Sequence, residues 1–181
     1  SPAGFDLLIT GAGTAQFDDT ITNLGDLIVS ATGTTTFNGD VTISGMLDLD
    51  SNSGIIINTA QLQAASATFR DAVTVAGTPT PLTATIEATS GALIFQQAIT
   101  STNASTDDLT LNGDSVQLLG PVSNLQSLQV TGVNGITLGA TSVTTADQIL
   151  FNNAVTLTVG TNLSAADIEF GSTLSGAFGV T

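Results

Sequence analysis

The sequence contains no cysteine, histidine, tryptophan or tyrosine, and a single cationic side chain, Arg70. Without Cys and His, disulfide frameworks, zinc sites and thiol redox motifs are out of reach. Fifteen acidic residues against one basic leave a formal net charge of −14. That excludes the Lys- and Arg-rich surface by which proteins neutralise phosphates, so no nucleic-acid partner is expected. It also opposes docking on anionic lipid. No stretch reaches about 18 uninterrupted apolar residues, so no membrane insertion is expected. The opening "SPAGFDLLITGAG" has neither a basic n-region nor a long apolar h-region. The expectation is that a signal peptide was removed or that the sequence is a piece of a longer chain.

Catalysis is equally short of material. It needs a general acid or base, an activated nucleophile or a bound metal, and most of the usual side chains are missing. A polysaccharide lyase would have to rely on Arg70. A glycosidase needs only two carboxylates at a suitable separation, for which Asp18 with Asp19 or Asp107 with Asp108 are the candidates. Adjacent acids in Gly- and Asn-rich stretches are usually turns, and the chain reads as a non-enzyme with no catalytic residues.

What is present is aliphatic and hydroxylic. Charged residues make up only 9% of the chain, so the solvent face must be built from Thr, Ser and Asn, and the aliphatic content argues against disorder. The length suits one domain, residues 1–181. Alternating runs such as "DLIVS", "VTISGMLDLD", "TATIEA", "DLTLNG" and "AVTLTV" are cut by Gly, Asn, Asp or Pro every few residues, which predicts an all-β chain. The best helix candidate, "NTAQLQAASATF", reads as strand and turn.

One unit recurs. A Phe is followed four residues on by an aliphatic in Phe17 and Ile21, Phe37 and Val41, Phe69 and Val73, Phe95 and Ile99, Phe151 and Val155, and Phe170 and Leu174. Leu118 with Val122 makes a seventh copy, and Thr or Ser follows the aliphatic each time. Successive anchors lie 20, 32, 26, 23, 33 and 19 residues apart, an average of about 25, in the range of one β-solenoid turn. Both anchors should face the core. On an unbroken strand the residue midway would also face inward, yet that position holds Asp19, Gly39, Asp71, Gln97, Gly120, Asn153 and Ser172, so a bend is predicted there. The prediction is a right-handed parallel β-helix of about seven irregular coils, with longer inserts at residues 45–66 and 123–148 as loops. Phe5 and Ile9 fit the pattern too, but lie too close to Phe17 for a full coil. The alternative is a β-sandwich filament subunit that lends the strand "FDLLIT" to a neighbour.

Metal candidates are few. Asp48, Asp50 and Asn52 in "DLDSNSG" have the i, i+2, i+4 spacing of a calcium loop, but Ser53 and Thr59 stand where that loop needs Gly and Glu. Calcium is thus the one cofactor suggested, against a plain strand with Leu47 and Leu49 inward and both acids outward. Asn103 and Asn162 open glycosylation sequons. An ice-binding face would need a regular Thr-x-Thr in successive coils, which is missing.

Residues 143–176, "VTTADQILFNNAVTLTVGTNLSAADIEFGSTLSG", resemble the β-strand-repeat segments of large bacterial surface and secreted proteins of the filamentous-haemagglutinin and autotransporter-passenger type. The matching positions are Val143, Thr144, Thr145, Gln148, Phe151, Asn152, Asn153, Ala154, Val155, Thr156 and Leu157, continued by Ile168, Phe170, Gly171, Ser172, Leu174 and Gly176. Weaker copies cover residues 14–142. The resemblance implies a right-handed parallel β-helix outside the cell or at its surface, used as a stalk, adhesin or fibre. An isolated solenoid leaves unpaired backbone groups at both ends. The expected partner is therefore self, by head-to-tail stacking, or the remainder of a longer chain. Surface glycans are the other partner class, although sugar sites usually want exposed aromatic rings.

Overall fold

The computed structural model describes residues 4–11, 13–77, 81–103 and 106–181. The chain winds through about eight turns of a parallel β-solenoid, and the described residues contain no helix. Every registered strand pair is parallel, and each strand pairs with its counterpart one turn away. At about 4.8 Å per turn the stack is roughly 38 Å tall.

Each turn has three faces. The first is a nine-stranded sheet that opens with Phe5–Gly11, Leu24–Ala31, Met46–Ser51 and Ser66–Phe69 and ends with Leu174–Gly176. The second face starts at Ala15–Phe17 and the third at Ile21–Thr22. The long strands Val122–Gly132 and Ser142–Phe151 run through both of these faces, joining them into one sheet. "NTAQLQAASATF" holds the strands Gln61–Ala64 and Ser66–Phe69, as its β-branched and polar alternation suggested.

Alternation decides burial. In Met46–Ser51, Leu47 and Leu49 are buried while Asp48 and Asp50 face outward, because successive side chains on a strand point to opposite sides. The same alternation puts Val73 and Val75 inside and Thr74 outside, which explains why a hydroxyl residue follows each inward aliphatic. All seven midway positions, from Asp19 to Ser172, sit at bends. The inward side chains form columns along the axis, one of which runs Leu7, Leu27, Leu47, Ala67, Leu93, Val116, Ile136, Val155 and Leu174.

That column corrects the predicted period. Its first three steps are each 20 residues, followed by 26, 23, 20, 19 and 19. The turn is thus about 20 residues long, and the intervals of 32 and 33 between Phe anchors span one turn plus part of another. The cause is that the Phe motif marks all three corners. Phe17 and Phe37 pair on the second face, Phe69 and Phe95 on the first, and Phe151 and Phe170 on the third. Each pair stacks, with ring centroids 5.0, 4.6 and 5.4 Å apart.

The expected loops at 45–66 and 123–148 are ordinary strands of successive turns. The longer turns lie elsewhere, between Val73–Val75 and Thr83–Ala88 and between Ile99–Ser101 and Asp108–Gly113, one above the other at the second-to-third-face corner. A β-sandwich with a donated strand is ruled out, since Phe5–Gly11 is already paired in parallel with Leu24–Ala31 of its own chain.

Of the proposed core ladder, Phe37, Val41, Phe69, Val73, Phe95, Ile99, Leu118, Val122, Phe151 and Val155 are buried. Phe17, Ile21 and Phe170 are only partly buried against the core. Leu174 stands in the same inward column as Val155 and is 42% exposed, since no described turn stacks above it.

Candidate functional site

Of the proposed calcium ligands, Asp48 is already engaged. Asp48 accepts two hydrogen bonds from the Arg70 guanidinium, from Nε to Oδ1 and from Nη2 to Oδ2, both 2.8 Å. This places the single cation of the chain on the carboxylate a calcium ion would need, and it holds the Arg70 guanidinium above its ordinary pKa, mainly through these hydrogen bonds. Asp50 and Asn52 are exposed beyond it. No group of three or more His, Cys, Asp or Glu residues is placed to hold a metal among the described residues.

The Asp107–Asp108 pair is split at the start of a strand. Asp107 is fully buried at the corner, whereas Asp108 starts the next strand and is half-buried, with its Oδ1 enclosed. Asp107 fastens the two longer turns together. Its Oδ1 accepts from the Leu82 amide at 2.9 Å, and its Oδ2 accepts from Ser101 Oγ at 2.5 Å and Asn103 Nδ2 at 3.3 Å. Asn103 Nδ2 also donates to the Gly77 carbonyl at 3.0 Å. The side chain that the sequon would offer for glycosylation is therefore engaged; the next two residues of that sequon lie outside the described residues. Asn162, in contrast, is exposed on Asn162–Ser164.

Asp18 and Asp19 are both exposed at the corner after Phe17. Gln16 Nε2 donates to Asp18 Oδ1 at 2.6 Å and Asn38 Nδ2 donates to the same oxygen at 2.7 Å. These bonds, Gln16 first, hold the Asp18 carboxyl below its ordinary pKa.

What the acids do instead is tie one turn to the next, a role that sequence reading missed. Asp6 Oδ1 accepts from the Asp26 amide at 2.9 Å, and Asp26 Oδ1 accepts from the Met46 amide at 2.7 Å. A Cβ on Gly45 would fall 2.1 Å from Asp26 Oδ1, so glycine is what admits the carboxylate. A second ladder at another corner runs from Asp18 through Asn38 to Asn58, where Asn58 Nδ2 donates to Asn38 Oδ1 at 3.1 Å. Hydrogen bonds to charged acceptors contribute about 1.5–3 kcal/mol when shielded and less when exposed. The signal was legible: Asp6 with Asp26, and Gly25 with Gly45, recur at the 20-residue interval.

The remaining distinctive surfaces are the two ends. Among large apolar residues exposed on the described surface, Phe5, Leu7 and Leu8 lie in the first turn, and Ile168, Leu174, Phe178 and Val180 in the last. Leu8, in register with the outward-facing Asp48, lies on the wall, as do Leu119 and Val133. At the first turn a hollow of about 140 Å³ is lined by Ile9, Gly11, Gly13, Ala15 and Ala31 among others.

No protein-family model matches the chain, and neither the curated proteins nor the solved structures contain a significant match to it.

Proposed function

We propose that this chain is a non-enzymatic structural segment of an extracellular or cell-surface protein, serving as a stiff spacer in an adhesin stalk or fibre. The observation that carries this reading is the continuity of the apolar columns through all the described turns, every turn paired in parallel with the next. A wall of Thr, Ser, Asn and Asp side chains around a dry aliphatic interior resists bending, because every turn is bonded to its neighbours on three faces. The resemblance to bacterial surface-protein repeats supports the extracellular placement. The partners are other turns of the same kind, supplied by another copy or by further chain. An antibody to the chain is expected to label intact cells of the organism that makes it. Labelling only after permeabilisation would end the extracellular reading.

A further inference from the structure

Three Asn–Gly dipeptides occur in the chain, at Asn38–Gly39, Asn112–Gly113 and Asn134–Gly135. The pairing is chemically reactive, because glycine has no Cβ to keep its backbone nitrogen away from the side-chain carbonyl carbon of the asparagine before it. The fold treats the three differently. Asn112 and Gly113 end the strand Asp108–Gly113, in register with Thr131 and Gly132 on one side and, through Asn112, with Glu87 on the other, which holds their backbone extended. Asn38 is half-buried at the corner after Phe37, where its side chain donates to Asp18 Oδ1 at 2.7 Å and accepts from Asn58 Nδ2 at 3.1 Å. The backbone is packed there as well, since a Cβ on Gly39 would fall 2.3 Å from the Asp19 carbonyl carbon. Asn134 is exposed, in the turn between Val122–Gly132 and Ile136–Leu138, and its Nδ2 donates to Asp114 Oδ1 at 2.7 Å. Gly135 has a φ of +120°, and a Cβ on it would meet nothing nearer than the Ala154 carbonyl oxygen at 3.7 Å. Its amide donates to the Gly132 carbonyl at 2.8 Å, which closes the turn.

We propose that Asn134 is a site of spontaneous deamidation, and that its conversion sets a second carboxylate against Asp114. The Gly135 nitrogen gives up its proton to hydroxide and attacks Asn134 Cγ. The new carbon–nitrogen bond closes a five-membered imide, the bond from Cγ to Nδ2 breaks, and the side-chain nitrogen leaves as ammonia. Water then adds to one of the two imide carbonyls and breaks its bond to the ring nitrogen, leaving aspartate or isoaspartate. The net change is one water consumed and one ammonia released. The surface turn that holds Gly135 opens at a lower free energy than strands enclosed in the stack, and that opening frees the attacking nitrogen. At Asn38 and Asn112 the same step requires neighbouring turns to separate. The product changes the corner in a defined way. Asn134 Nδ2 is a donor to Asp114 Oδ1; an ionised oxygen in its place is an acceptor facing an acceptor, so the tie between these two turns becomes a repulsion. In isoaspartate the main chain is also one carbon longer through the turn.

Incubating the intact chain in warm, mildly alkaline buffer, with samples digested by pepsin and mapped by mass spectrometry, tests the proposal. Conversion at Asn134 is expected at least about tenfold faster than at Asn38 or Asn112, a ratio equivalent to about 1.4 kcal/mol in the free energy of local opening. In urea sufficient to unfold the chain the three sites should convert at similar rates, because the fold no longer protects two of them. Asn134→Asp stands in for the aspartate product. It is expected to melt roughly 2–4 °C below the unaltered chain, with the deficit shrinking as salt screens the two carboxylates. An Asn134 that stays intact, conversion at Asn38 or Asn112 as fast as at Asn134 in the folded chain, or an order of rates unchanged in urea would each overturn the site. An Asn134→Asp variant that melts with the unaltered chain would overturn its effect on the corner.

Discussion

The inner turns and the end turns are made of the same residues in the same columns, yet they differ in what those residues bury. Leu7, Leu27, Leu47 and Leu174 occupy one column, and their exposures are 38%, 0%, 1% and 42%. Nothing local distinguishes them. A turn of a solenoid covers its apolar side chains only with the turns above and below, so burial belongs to the stack rather than to the strand. Phe170 shows the same thing from the aromatic side: it stacks on Phe151 but has no ring above it, and stays partly exposed while Phe151 is buried.

The sharpest way to break this comparison is to empty the same motif position in both settings. Phe95→Ala, in a fully enclosed position stacked on Phe69, is expected to destabilise the chain by about 3–5 kcal/mol. Phe170→Ala should cost about 1 kcal/mol, because much of its ring surface is already in water. Urea unfolding of the two variants reads the difference; equal losses would show that the last turn is covered in solution.

Backbone approach between turns gives the next effect. A Cβ at Gly120 would lie 2.2 Å from the Gln97 carbonyl carbon, whereas one at Gly11 meets nothing within 4 Å. Gly120→Ala is expected to cost about 3 kcal/mol through overpacking against a backbone that cannot yield. Gly11→Ala should be neutral or slightly stabilising. A thermal melt of each variant distinguishes them.

Polar ties between turns come third. Asp26→Ala leaves the Met46 amide without its acceptor and is expected to cost about 1 kcal/mol. Arg70→Ala, removing a pair whose side chains are 44% and 17% exposed, should cost less than about 1 kcal/mol, an effect that salt diminishes. A denaturation series at low and high salt separates these two, since only the second should fade.

The smallest effect is a titration in the first turn. Hydrogen bonds from Gln16 and Asn38 lower the folded pKa of Asp18, so their contribution is present above the ordinary carboxylate pKa and is lost as pH falls through the folded value. In Asn38→Ala the Asp18 carboxyl is expected to titrate higher, nearer the ordinary value, when followed by NMR. An unmoved titration would mean that the ladder at this end is not formed in solution.

Much of this was legible in the residues. The alternation of "MLDLDS" was enough to place Leu47 and Leu49 inside and the two acids outside, and the unsuitability of Asp19, Gly39 and Asn153 for a core was enough to place bends there. Asp48 of the calcium candidate has a partner 22 residues away, Arg70, that spacing within "DLDSNSG" does not reveal. The turn length was misread for a related reason. A Phe, two corner-formers and an aliphatic make a suitable corner wherever a corner is needed, and the chain uses that solution on all three faces.

By itself the sequence determined that the chain forms short strands separated by bends, which side of each strand is apolar, and that few cations are available to neutralise its acids. These follow from side-chain period, backbone preference and charge, all properties of neighbouring residues. Only the tertiary structure decided which face each strand occupies, that a turn takes about 20 residues, that Asp26 serves the Met46 amide, and that Leu27 is dry while Leu174 is wet. Those outcomes depend on what lies one turn above or below, a distance of about 4.8 Å in space but 19 to 26 residues along the chain.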